Sequence, residues 1–386
     1  MEITKEIFYA GVDDKEIDLF ESQYVVPNGV SYNSYVIMDE KIAVMDTVDA
    51  RKTSEWLEKV KGILGEKKPD FLTVSHLEPD HAGSIQAFLE AYPDTVVIGN
   101  AKTFVFLEQF FPSLTDKVNK MIVAEGETVS LGKHTLQFFM APMVHWPEVM
   151  VTYEQTEKVL FSADGFGKFG ALDTEEDWAC EARRYYMNIV GKYGAPVQTL
   201  LKKAAGLDIQ IICPLHGPVL KENLSYYIEK YNIWSSYEPE DKGGLIAYGS
   251  IHGNTAKAAV SLAEKLQKNG VEKVEIFDLS RDDLAEAVEG AFRYDKMVLA
   301  CATYDGGLFP CMEDFLSHLK SKNYQKRTVA LIENGTWAPA AAKAMRASLE
   351  GMKEITVLED SITIKSAVNE SVEEQLEGLA EKLSKM

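Results

Sequence analysis

Two kinds of hydrophobic patterning divide this chain. Up to about residue 235, short apolar runs recur at uneven intervals: 35–38, 42–45, 96–98, 137–140, 149–152 and 159–161. Runs this short, rich in β-branched and aromatic residues, predict buried strands. Helical spacing separates some of them, near 53–62, 83–91 and 101–110. Strands with helices interspersed predict a mixed α/β sandwich. Beyond residue 243 the rhythm becomes regular. Strand candidates 244–249, 273–277, 296–302, 327–333 and 355–358 alternate with helix candidates 254–268, 282–290, 311–320, 337–350 and 370–385. Such alternation predicts a doubly wound parallel sheet. The stretch between, Ser235 to Gly243, is polar, contains Pro239 and lacks periodicity, so it reads as a linker. Two domains follow, 1–240 and 243–386.

Composition narrows the function classes. The formal charge of −20 over 386 residues disfavours nucleic-acid phosphates and anionic membranes as partners. No apolar run is long enough to predict a transmembrane helix, and the charged start of the chain lacks a signal core. Cys180, Cys213, Cys301 and Cys311 form no C-x-x-C pair, which excludes a rubredoxin-type iron site within the chain. A reducing cytoplasm is the expected setting, with all four thiols as packing residues.

The densest chemistry lies at His76-Leu77-Glu78-Pro79-Asp80-His81, directly after the apolar run 71–75. Three more candidate ligands also follow apolar runs: His145 after 136–140, Asp164 after 159–163 and His216 after 209–212. In a layered fold these strand ends share one rim. Crowded carboxylates and imidazoles are favourable when a cation supplies the compensating charge. The carboxylates Glu78, Asp80 and Asp164 make the set hard, which suits iron or manganese better than zinc. No catalytic residue is predicted beyond these ligands. Trp146, Phe166, Phe169 and Tyr193 are candidates to shape the surrounding pocket. His134 and His318 read as exposed polar positions.

A second constellation opens the regular half. Its first strand runs into Gly249-Ser250-Ile251-His252-Gly253-Asn254-Thr255, followed by a helix. Backbone N–H groups and hydroxyls at a helix N-terminus form a monophosphate site. The segment is neither G-x-G-x-x-G nor a P-loop, so neither a dinucleotide nor ATP is the first expectation. It resembles the flavodoxin FMN-phosphate loop. Two further loops, Thr303-Tyr304-Asp305-Gly306-Gly307 and Asn334-Gly335-Thr336-Trp337, end the third and fourth predicted strands, where such sheets bind ligands. By that resemblance Ser250, Gly253, Asn254 and Thr255 hold the phosphate, His252 bonds it or stays exposed, Tyr304 and Trp337 flank the ring, and Gly306, Gly307 and Gly335 let backbone approach it closely. The loop at 334–337 departs from the longer Gly-rich loop of many flavodoxins, and His252 stands where an aromatic or Thr is common.

The first half, with its H-x-E-x-D-H run and later His, Asp and His, resembles the metallo-β-lactamase superfamily, in which the second position is usually His. Together with the flavodoxin-like half, the whole chain resembles the flavodiiron proteins (A-type flavoproteins). Eighteen residues separate His145 from Asp164, as in that family. The resemblance implies an N-terminal metallo-β-lactamase-like αβ/βα sandwich and a C-terminal flavodoxin-like sheet. It implies two Fe ions and one FMN per chain, one iron held by His76, Glu78 and His145, the other by Asp80, His81 and His216, with Asp164 bridging. Whether His76 binds directly or through water stays open. It implies reduction of O2 to water, of NO to N2O, or both, with a donor such as rubredoxin or a reduced deazaflavin. A head-to-tail homodimer, or a dimer of dimers, is the implied assembly. Two other readings remain: a metal-dependent hydrolase with a flavodoxin-like binding module, and an electron carrier with an inert first domain.

Overall fold

A computed structural model describes residues 1–115 and 117–386. The chain forms two compact units, Met1–Tyr186 with Ala195–Asn232, and Met187–Gly194 with Ile233–Met386. Among the described residues, no helix is long and apolar enough to cross a membrane.

In the first unit two sheets face each other. The six-stranded sheet runs in the order Ile7–Tyr9, Tyr35–Ile37, Ala43–Met45, Phe71–Thr73, Val96–Gly99, Asn119–Ile122. Its first three strands are antiparallel and the rest parallel. The five-stranded sheet runs Thr128–Ser130, Thr135–Met140, Met150–Glu154, Val159–Phe161, Ile211–Cys213. Inward side chains of both sheets, among them Tyr35, Met45 and Ile98 from one and Phe138, Met150 and Phe161 from the other, make a single core. Helices cover the outside. In Thr53–Leu64 the buried residues are Trp56, Val60 and Leu64. Their four-residue spacing presents one apolar stripe to the sheet.

The second unit is a parallel sheet in the order Val274–Asp278, Asp241–Gly249, Tyr294–Tyr304, Thr328–Asn334, Thr356–Ile364. Second, first, third, fourth, fifth is the flavodoxin-like order, with its ligand crevice at the carboxyl ends of the strands. Two expectations shift here. The helix expected over 337–350 begins only at Ala341. Pro339 cannot donate to a helix, and Ala338 has a φ of +45°, so the preceding residues form a loop instead. The expected linker is short, because helix Leu224–Ser235 ends just before strand Asp241–Gly249 begins. It is also tied down: Trp234 Nε1 donates to Glu240 at 2.6 Å and Arg293 Nε to Asp241 at 2.8 Å.

Candidate metal centre and phosphate crevice

The seven predicted ligands of the first unit follow strand ends, and hydrogen bonds clamp several of the loops that carry them. Ser75 N–H donates to buried Asp46 Oδ1 at 2.6 Å, fixing the approach to His76. Pro79 starts the short helix Pro79–Ala82, which carries Asp80 and His81 in one turn. The Asp164 loop is held by Phe166 N–H donating to Tyr231 Oη at 2.6 Å, with Ala163 and Phe166 at φ +50° and +67°. Non-glycine residues are uncommon there, and such strain gathers at functional sites. Ser31 and Asn33 clamp the His216 loop: Gly217 N–H donates to Ser31 Oγ at 2.7 Å, and Asn33 Nδ2 to Pro214 O at 2.8 Å.

These loops bring the seven side chains into two adjoining groups. His76, Glu78, His145 and Asp164 have candidate ligand atoms within 4.8 Å of one another, as do Asp80, His81 and His216. Asp164 faces both. Its Oδ2 lies 3.4 Å from His76 Nε2 and 3.3 Å from His145 Nε2. Its Oδ1 lies 3.1 Å from His81 Nε2 and 3.8 Å from His216 Nε2. Glu78 Oε2 is 3.1 Å from His76 and 3.0 Å from His145, while Asp80 Oδ2 is 3.3 Å from His81 and 3.2 Å from His216.

The basin is unfinished by its own side chains. Both oxygens of Asp80 and Asp164, both nitrogens of His81, and Nε2 of His145 and His216 are buried with no hydrogen-bond partner among the described residues. Each such group costs about 1–3 kcal/mol unless something satisfies it. Burial pulls the His145 imidazolium down, yet Asp164 and Glu78 outweigh it and raise the group to about 9. His76 is likewise raised against burial by Asp164, Glu148 and Glu78. Protons thus accumulate where divalent cations would otherwise stand, so the residues fit a pair of metal ions.

One participant has no signal in a ligand motif. Glu148, fully buried, accepts from His76 Nδ1 at 2.8 Å and from Leu77 N–H at 3.0 Å. Burial opposes ionisation, but these donors hold its carboxyl below the ordinary range. Nδ1–H is therefore committed, and Nε2, which faces Glu78 and Asp164, is the nitrogen that would give its lone pair to a cation replacing its proton. His216 Nδ1 is fixed in the same way by Ser31 O at 2.7 Å. The only sequence hint of Glu148 is its place three residues after His145.

Aromatic rings wall the basin. Trp146 stands edge-on to His76 at 5.1 Å, and Phe20 and Tyr185, both unforeseen, lie 5.5 and 5.4 Å from His216. Phe169 packs on Phe20 and Tyr185, Phe166 packs at a tilt on Tyr231, and Tyr193 falls in the second unit. A polar mouth of about 290 Å3, lined by Glu21, Tyr32, Arg51, Glu78 and Asp80 among others, leads to the ligands.

Three expectations are corrected. His134 is fully buried, with Nε2 3.0 Å from Glu6 and Nδ1 3.1 Å from Glu154, because its hairpin packs inward. His318 is half-buried and lies 3.6 Å from Asp314 one helical turn back. Cys180 is exposed, while Cys213 and Cys301 are buried, so packing does not account for every thiol.

In the second unit a cavity of about 620 Å3 opens at the carboxyl ends of the strands. Ser250, His252, Asn254, Thr255, Thr303, Tyr304, Asp305, Gly306, Asn334, Gly335, Thr336 and Trp337 line it. Gly253 and Gly307 do not. Gly253 caps helix Asn254–Lys268 at φ +84°, its N–H donating to Ser250 Oγ at 3.1 Å. Gly307 pairs with Tyr304 in a small hairpin. Ile251, Ala302, Ala338 and Ser366 line the cavity although the motifs did not mark them. Thr303 Oγ1 is occupied by Ala340 and Ala341 N–H groups at 3.0 and 3.2 Å, so it anchors the next helix. Gly335 leaves no room for a Cβ, which would meet Pro339 Cα at 2.9 Å. Its glycine serves loop packing. Tyr304 and Trp337 are 45% and 82% exposed. Exposed rings flanking a helix N-terminus fit a flat aromatic ligand carrying a phosphate.

Known proteins match both halves. Residues 30–217 match the ODP family beta lactamase and residues 245–366 a flavodoxin domain. The chain is 30% identical to the nitric oxide reductase of Moorella thermoacetica, over 94% of this chain and 92% of that one. Rubredoxin oxygen:oxidoreductase from Desulfovibrio gigas superposes with a TM-score of 0.93 at 26% identity, covering 100% of this chain and 98% of that one. The flavodiiron protein of Giardia intestinalis shares the fold, with a TM-score of 0.91 at 24% identity, covering 100% and 95%.

Proposed function

The chain belongs to the flavodiiron family of oxidoreductases, and from that premise we propose that it reduces a diatomic gas, O2 to water or NO to N2O, at two irons fed by FMN. The observation that carries this reading is Asp164, whose two oxygens face two separate ligand groups. His76, Glu78 and His145 would hold one iron, and Asp80, His81 and His216 the other, with Asp164 between them. When bound, iron supplies reducing electrons to the gas, and FMN stores electrons in pairs and releases them singly.

The protein's own part is position and exclusion. Glu148 holds the His76 proton at Nδ1, and Ser31 O does the same for His216. His76 Nε2 thereby points into the basin, which favours direct ligation. Trp146, Phe20 and Tyr185 keep water from the imidazoles. The polar mouth admits protons and releases product. In the second unit the N-terminus of Asn254–Lys268 would take the FMN phosphate, with Tyr304 and Trp337 beside the ring.

A hydrolase is the weaker reading, since a nitric oxide reductase and a rubredoxin oxygen:oxidoreductase match along nearly the whole chain. A rubredoxin-type donor and a head-to-tail homodimer belong to the same proposal by family likeness. Anaerobic reduction of the purified protein, then mixing with O2 or NO, tests it. Reoxidation much faster than that of free flavin by either gas supports it, and the faster gas names the substrate. Reoxidation at the free-flavin rate by both sinks it.

A further inference from the structure

Behind the metal basin lies a second, chemically opposite space. It is a cavity of about 20 Å3 under helix Gly194–Ala204, walled by Val144, Leu160, Phe166, Val197, Leu201 and Tyr231 among others. The polar side chains in the wall are engaged elsewhere. Ser162 Oγ donates to Gly165 O at 2.6 Å, Tyr231 Oη accepts from Phe166 N–H at 2.6 Å, and Lys203 Nζ reaches Met140 O at 2.8 Å and Glu125 at 2.9 Å. A buried water needs two to four polar partners, and the surface of this cavity is apolar throughout. The cavity is therefore dry and suits a small apolar guest.

Its position gives it a use. Val144 lines the cavity and the next residue, His145, faces the basin. Ser162, Gly165 and Phe166 line it and flank Asp164. The two loops that carry these ligands thus have the polar basin on one side and the apolar cavity on the other. We infer that this cavity is a holding site for the gaseous substrate, an apolar diatomic, which enters the basin between the His145 and Asp164 loops. The inference rests on the gas-reductase reading. O2 and NO hydrogen-bond poorly, so they partition into apolar space and leave the polar mouth to protons and product water.

Xenon is the probe. Crystals of the holoprotein under xenon pressure should show a xenon atom in this cavity. Leu201→Phe should fill it, abolish the xenon peak, and raise KM for the gas several-fold with kcat and iron content unchanged. Val197→Leu, a smaller addition, should shift KM in the same direction if Leu201→Phe fails to fold. Absence of xenon from the native cavity overturns the inference while gas consumption stands. Filled variants with an unchanged KM overturn it too. A protein that binds xenon there yet consumes neither gas overturns the functional reading, and this inference with it.

Discussion

At the metal basin every candidate ligand is a side chain, and His76, His81, Asp164 and His216 are no more than 1% exposed. At the crevice of the second unit the wall is loop, and its two rings stand in solvent. The basin leaves carboxylate and imidazole atoms buried and unpaired. The crevice is internally satisfied: Asn334 and Ser366 bond each other, and Thr303 caps a helix. One site depends on its ligand for balance, and the other stands ready without it. Removing metal should therefore destabilise the first unit, whereas removing flavin should leave the second folded. Changes at either site should leave the other's cofactor content alone.

The largest break in that symmetry should come from Asp164→Ala. Both ligand groups lose their shared carboxylate, so both irons should leave. The loss of affinity should exceed the roughly 10–100-fold typical for an outer partner of a metal ligand. Iron analysis should read near zero and gas reduction should vanish, with flavin absorbance unchanged; retained iron would show that Asp164 does not bridge. Glu148→Gln comes next. Without its carboxylate His76 loses its fixed tautomer, and affinity at one site should fall about 10–100-fold, leaving the other iron in place. Mössbauer spectra of partly loaded protein separate the two, and equal loss at both would contradict the assignment.

A smaller effect follows from His145. Its imidazolium is raised to about 9 in the metal-free fold, above an ordinary value of about 6.5. The stability it contributes is full below about 6.5 and is lost as pH rises through about 9. Metal-free protein should thus show a falling Tm across that window, and iron-loaded protein should not, because the ligated imidazole is already neutral. Similar slopes for both forms would remove the argument that ions replace protons there. The smallest effect is Trp337→Ala, which removes an exposed ring. An aromatic contact of about 0.5–1.5 kcal/mol corresponds to a roughly 2–10-fold weaker FMN affinity, read by flavin fluorescence. No change would place Trp337 outside the flavin site.

The same contrast explains what was legible in the sequence. Side-chain donors after apolar runs stand out in the sequence, and the fold gathers the seven so marked, His76, Glu78, Asp80, His81, His145, Asp164 and His216, into two adjoining groups. The alternation beyond residue 243 announced the parallel sheet. Partners that act through packing left no such mark. Glu148 looks like any loop glutamate until the fold places it against His76, and Phe20 reaches His216 from far along the chain. His134 looked exposed because its local context is a polar hairpin, yet Glu6 and Glu154, distant in sequence, close over it. Glycines carry two roles at once. Gly335 lines the cavity, but the packing of Pro339 against it, which leaves no room for a Cβ, shows only in the fold.

Metal and flavin analysis of the purified protein, combined with Mössbauer spectroscopy, tests the central claim most directly. The account predicts about two irons per chain in a magnetically coupled pair, together with one FMN. Zinc in the basin, or iron present only as isolated ions, would contradict it.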